Sequence, residues 1–145
     1  MRSPSGVRRA TAATYLLAVG AMACFAVLFL LAPGTLLAFY TRDPAIVELG
    51  MLLLGVAALF QVFDGAQVAG ISVLRGAADT RIPTLITTVA YWLVGVPAAY
   101  LLGFRTELGP LGVWIGIVIA LAVAALLLGW RVHRLLVRGA PRFAA

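Results

Sequence analysis

Residues 108–130 read LGPLGVWIGIVIALAVAALLLGW, a run without one ionisable side chain. Coiled into an α-helix at about 1.5 Å per residue, it can cross a hydrocarbon core of roughly 30 Å. Two further runs, 10–41 and 82–104, are also free of charged residues. Backbone in lipid must satisfy its own hydrogen bonds, which leaves helices and closed barrels. The apolar residues are continuous rather than alternating with period two, so helices are expected. Composition agrees: 63% of the chain is hydrophobic and 11% charged, against about 25% charged in soluble domains. The mean hydropathy is +1.08. A soluble fold would lack the charge to wet its surface. The expected fold class is an all-α membrane protein of about four transmembrane helices.

Breakers and caps set the boundaries. The first helix is expected over about 11–40, with Pro33-Gly34 kinking it or ending its regular part. Asp43 and Pro44 suit the N-cap and first position of a second helix over about 44–75, which Gly76 can end. Asp79 or Thr80 can cap a third helix over about 81–104, kinked in its outer half by Pro97. A fourth runs over about 111–137 and opens with Gly112 and Gly116, a close-packing pair in membrane bundles. The basic tail, 131–145, is expected to lie along the membrane surface or fray. Residues 1–145 then form one membrane domain. The N-terminal run is too long for a signal peptide, and further spans follow it. Cys24, the single cysteine, excludes a disulfide framework or Cys-based metal site within the chain.

The arginines fall on alternate sides. Arg2, Arg8, Arg9, Arg75, Arg81, Arg131, Arg134, Arg138 and Arg142 share one side, and only Arg42 and Arg105 lie on the other. The positive-inside rule places both termini in the cytoplasm, in a multi-pass protein of the plasma (cell inner) membrane. Tyr15 and Trp130 then fall near the cytoplasmic interface, Tyr40 and Phe104 near the outer one. The net charge of +6 thus follows topology. No base-stacking aromatics are interleaved with it, so the expected partner is the lipid bilayer and not nucleic acid.

Asp64 stands out. It lies eleven residues before Arg75, roughly 16 Å along the helix from the cytoplasmic end. A carboxylate at that depth costs about 2.5–3.5 kcal/mol on insertion scales, and must face a cavity, a partner or a cation. Gln61 and Gln67 sit about 60° to either side of it and Arg75 about 20° away. The alternatives are a functional carboxylate and a structural one hydrogen-bonded to its neighbours. On the third helix, Thr84, Thr87, Thr88 and Tyr91 follow i, i+3, i+4, i+7 spacing, and Gly95 continues that face. Cavity lining and helix packing are both open for this face. Tyr91 and Trp92 lie too deep for an interfacial belt, which assigns them lining or packing roles.

No enzyme constellation is present. The acids are Asp43, Glu48, Asp64, Asp79 and Glu107, and all but Asp64 belong to helix ends or loops. No embedded base, ligand or nucleophile accompanies Asp64, and Gly-rich phosphate loops are absent. His133, among Arg131, Arg134 and Arg138, reads as solvated or headgroup-facing rather than catalytic.

Several stretches together resemble one family. Phe60-Gln61-Val62-Phe63-Asp64-Gly65-Ala66-Gln67, with Val73-Leu74-Arg75-Gly76-Ala77-Ala78-Asp79-Thr80-Arg81-Ile82-Pro83, resembles the tenth helix and following loop of multidrug and toxic compound extrusion (MATE) transporters. Tyr91-Trp92-Leu93-Val94-Gly95-Val96-Pro97-Ala98-Ala99-Tyr100 is similar to the eleventh helix, and Leu111-Gly112-Val113-Trp114-Ile115-Gly116 to the start of the twelfth. Phe39-Tyr40-Thr41-Arg42-Asp43-Pro44 matches the junction before the tenth. The resemblance implies the last four helices of a twelve-helix, two-lobed transporter. It also implies export of organic, often cationic, drug-like compounds in exchange for Na+ or H+. On this resemblance Asp64, with Gln67 nearby, falls at the coupling carboxylate of the C-terminal lobe, where Na+ or a proton would bind. Gln61, Thr84, Thr87, Thr88 and Tyr91 would adjoin the interior. Coupling ion apart, no cofactor or resident metal is implied. The partners implied are the substrate and the transporter's N-terminal helices, without which the chain is not expected to transport. Two other readings remain: a stand-alone four-helix membrane protein acting as an oligomer or partner subunit, and part of a related lipid-linked sugar flippase. The flippase would be expected to show a more cationic cavity.

Overall fold

A computed structural model describes residues 4–138. Every described element is helical: α1 (Pro4–Leu31), α2 (Pro33–Ala38), α3 (Pro44–Gly76), α4 (Arg81–Val89), a π-helical segment (Ala90–Gly95), α5 (Val96–Phe104) and α6 (Pro110–Arg138). Among the described residues four stretches are long and apolar enough to cross a membrane: Ser5–Leu31, Pro44–Gly76, Arg81–Phe104 and Pro110–Val137. The chain is an all-α, multi-pass membrane protein.

Local chemistry explains most boundaries. Ala32 leaves the helical region at φ −131°, and Pro33 restarts the chain as the short α2. The Asp43 carboxylate accepts from the Ala45 N–H at 3.0 Å, capping α3 with Pro44 at its first position. At the other end of α3 the left-handed residue is Ala78, at φ 60°, rather than Gly76. The Asp79 N–H there bonds back to the Leu74 carbonyl at 2.9 Å, which closes the helix in Schellman fashion. Pro97 cannot donate to the ladder behind it, and the preceding residues 90–95 widen into π-helix. The bend expected from Pro97 is thus accompanied by a change of register before it.

Three expectations are corrected. The first helix begins at Pro4, seven residues before Thr11, because 4–10 contain nothing that stops a helix after the proline. Neither Asp79 nor Thr80 caps α4 through its side chain. The Asp79 carboxylate instead accepts from Arg131, with Nε and Nη2 each 2.9 Å from Oδ2. Arg131 is therefore no start of a loose tail: α6 continues to Arg138, and 139–145 lie outside the described residues.

α3 and α6 form the central pair, with α1 packed on α3 and the α4–α5 span packed on α6. Lipid offers helices little hydrophobic reward for associating, so close approach at small residues does the work. A Cβ on Gly112 would overlap the Leu102 carbonyl, and one on Gly116 the Ala99 backbone. Gly95 faces Ala120, where a Cβ would lie 2.8 Å away. Ala120, Ala124, Leu121 and Leu128 are buried on the same helix. Tighter burial occurs at the arginine-rich end, where Leu74, Leu128 and Val132 meet Tyr15 and Ile86. Tyr15 was expected at the interface. Its Oη is buried against Gly70, without a hydrogen-bond partner among the described residues. Tyr40 and Phe104 are exposed near the opposite end, 90% and 75%, as a belt requires.

Three outcomes test this arrangement. Gly116→Ala should cost about 1–3 kcal/mol through overpacking, read as a lower thermal midpoint in detergent. Gly129→Ala, with nothing within 4 Å of the new methyl, should be neutral or gain up to about 1 kcal/mol from helix propensity. A double-mutant cycle of Asp79→Ala and Arg131→Ala should give a coupling of about 0.5–1 kcal/mol, reduced by added salt.

Candidate functional site

Asp64 lies on α3, twelve residues before its last residue, Gly76. The next residue, Gly65, is buried where α1 crosses: a Cβ there would lie 2.9 Å from Met22 Cγ and 3.0 Å from the Ala18 carbonyl. Three residues on, Gln67 is 6% exposed and turns toward the other flank. Its Oε1 accepts from the Tyr91 hydroxyl at 2.8 Å. Glutamine would strand a polar amide in an apolar layer, and the phenol resolves that.

Asp64 sits between these contacts. On a helical wheel Gly65 lies about 100° to one side and Gln67 about 60° to the other. The arc between them is the face α3 leaves open, where Val68 is 49% exposed and Ser72 and Arg75 are exposed too. The carboxylate is half-buried, and among the described residues no hydrogen-bond or ion-pair partner meets it. Gln61 is half-buried as well. Among the described residues no three His, Cys, Asp or Glu cluster together. Three residues along α3 from the Asp64 carboxylate stands the Gln67–Tyr91 pair.

The hydroxyls of Thr84 and Thr87 bond within their own helix. The Thr84 hydroxyl donates to the Thr80 carbonyl at 2.9 Å, and the Thr87 hydroxyl lies 3.1 Å from the Pro83 carbonyl and 3.0 Å from that of Thr84. Thr84 and Thr88 line a shallow groove with Thr80, Arg81 and Leu85. The π-helical segment begins just after Thr88 and Val89. Among the described residues, Tyr91 alone of the four hydrogen-bonds to Gln67. Trp92, expected to line or pack, is 68% exposed on the flank of the span.

The MatE family profile matches residues 1–101. The chain belongs to the MatE (MATE transporter) family. It is 42% identical over 125 residues to a probable multidrug resistance protein NorM of Xylella fastidiosa, covering 86% of this chain and 27% of the relative. It is 41% identical over 135 residues to the multidrug resistance protein NorM of Burkholderia vietnamiensis, covering 90% of this chain and 29% of that protein. A probable NorM of Brucella suis is 37% identical over 137 residues, covering 90% and 29%. This MatE chain therefore spans under a third of the length of the curated relatives it matches.

Two interactions in this MatE chain escaped sequence reasoning. Gln67 and Tyr91 were each candidates, but 24 residues separate them, and nothing local announces that they pair. Asp79 and Arg131 are 52 apart. Each had a plausible local role, as cap and as surface charge, that concealed the partner.

Removing the phenol hydroxyl isolates the test of the first pair. Tyr91→Phe should lower stability by about 0.6–2 kcal/mol, since the Gln67 carbonyl loses its donor. A second substitution, Gln67→Leu, should make the further change at Tyr91 nearly neutral in thermal melts of the purified chain.

Proposed function

We propose that this chain supplies four helices of the C-terminal lobe of a multidrug efflux antiporter driven by Na+ or H+. Asp64 would be its coupling carboxylate, with Gln67 beside it. The observation that carries this reading is a carboxylate in the apolar body of α3, half-buried, and unpaired among the described residues. Such a charge is costly in lipid unless something outside these helices answers it. An open face, an amide–phenol pair beside it and a family of multidrug resistance relatives support an exchanging cation or proton. The arginine-rich end then faces the cytoplasm of a plasma membrane.

Coupling requires that the ion bind the two access states unequally. With the ion or proton bound, Asp64 is neutralised and one state is favoured. Its release, linked to entry of an organic cation, favours the other. Gln61 would extend the polar face, and the Gln67–Tyr91 bond would hold the amide in place beside the carboxylate. The remaining helices of the transporter would complete the cavity. No step in this scheme calls for enzyme chemistry.

Asp64→Asn in the full-length parent should abolish ion-dependent drug export while leaving membrane insertion intact. Asp64→Glu should keep part of it. Unchanged export with unchanged ion dependence in Asp64→Asn vesicles would refute the coupling role.

A further inference from the structure

We propose that the cleft between α1 and α3 at the arginine-rich end is a water-filled vestibule, leading along the open face of α3 toward Asp64. Its volume is about 520 Å³, and its wall includes Thr11 and Thr14 of α1, Ser72 and Gly76 of α3, and Leu135 of α6. Liquid water takes about 30 Å³ per molecule, so the cleft has room for on the order of ten. Much of the wall is apolar, and three hydroxyls decide what fills it. Thr11 is 7% exposed, and among the described residues its hydroxyl meets no hydrogen-bond partner. A buried hydroxyl left unbonded is costly, and an acyl chain has nothing to offer it. Water can answer it, because water both donates and accepts.

The other two hydroxyls have their protons committed. Ser72 donates to the Val68 carbonyl at 2.8 Å, and Thr14 to the Ala10 carbonyl at 2.9 Å. Each oxygen keeps lone pairs that accept from water, so the wall presents acceptors on both helices and a free hydroxyl between them. The cleft also continues the face on which Asp64 stands. Ser72, Val68 and Asp64 are four residues apart in turn, about 6 Å per step along one side of α3. Val68 is 49% exposed, and Ser72 is exposed as well. Taken with the reading of Asp64 as a coupling carboxylate, on which this step rests, the vestibule gives its proton or Na+ a wet route to the arginine-rich side.

Cysteine labelling of the full chain in lipid nanodiscs gives the test, with adducts counted by mass. A thiol reacts as its thiolate, which forms in water and is suppressed in hydrocarbon. In a Cys24→Ser background, Thr14→Cys, Ser72→Cys and Val68→Cys should each react with a charged methanethiosulfonate about tenfold faster than Leu16→Cys. Leu16 is 76% exposed and lies two residues from Thr14, on the opposite side of α1. Thr11→Val should slow the Ser72→Cys reaction about threefold by removing a group that holds water, and Thr11→Ser should not. Thr14→Cys and Ser72→Cys reacting as slowly as Leu16→Cys would show acyl chains in the cleft and overturn the proposal, as would no effect of Thr11→Val. Reaction at both sites with none at Val68→Cys would overturn the route to Asp64. Asp64→Asn should leave all three rates unchanged, so failure of the coupling role and failure of the vestibule are read separately. Elution volume monitors folding. If Ser72→Cys does not fold, Thr14→Cys, on the other helix, decides by itself.

Discussion

Backbone-to-backbone approach at Gly112 and Gly116 of α6 is the contact on which the rest of the arrangement depends. In water, burying leucines would hold these helices together. In lipid, leucine gains little by leaving acyl chains, so attraction must come from dispersion over short distances and from polar bridges. Missing side chains at Gly112, Gly116 and Gly95 let the α4–α5 span lie directly on α6. Gly65 and Gly70 do the same for α3 against α1 and α6. Large hydrophobic residues are correspondingly turned outward, with Leu16, Leu31 and Leu126 each at least 70% exposed.

Polar bridges supply what close packing cannot: a fixed register. Gln67 bonding Tyr91 joins α3 to the span beyond α6, and Asp79 bonding Arg131 ties the loop after α3 to the last helix. The first satisfies an amide that would be costly alone in an apolar layer; the second is a partly exposed pair at the arginine-rich end. Asp64 is the exception. It lies between one bridge and the α1 crossing, and the described helices offer it neither donor nor cation. Near neighbours are settled while this carboxylate is left open among the described residues.

The π-helical segment connects fold to site. Pro97 disturbs the hydrogen-bond ladder and the turns ahead of it widen; within that segment Tyr91 bonds Gln67, while Thr84 and Thr88 line a groove with Arg81 and Leu85. Periodicity groups residues 84–91 by side, but only the packed helices show that Tyr91 is the one that bonds Gln67.

Membrane spans, their number, the caps at Asp43 and Pro44, and the singularity of Asp64 were all determined by the sequence itself. Each depends on hydropathy or on chemistry within a few residues, and the solvent that imposes it is known in advance. Which donor meets Gln67, what Asp79 holds, why Tyr15 is buried and where Ala78 turns were decided by tertiary structure. Those outcomes join residues far apart in the chain, or trade a local cap for a distant cation. Their energies differ too little for short-range pattern to rank them, so only the packed helices could choose.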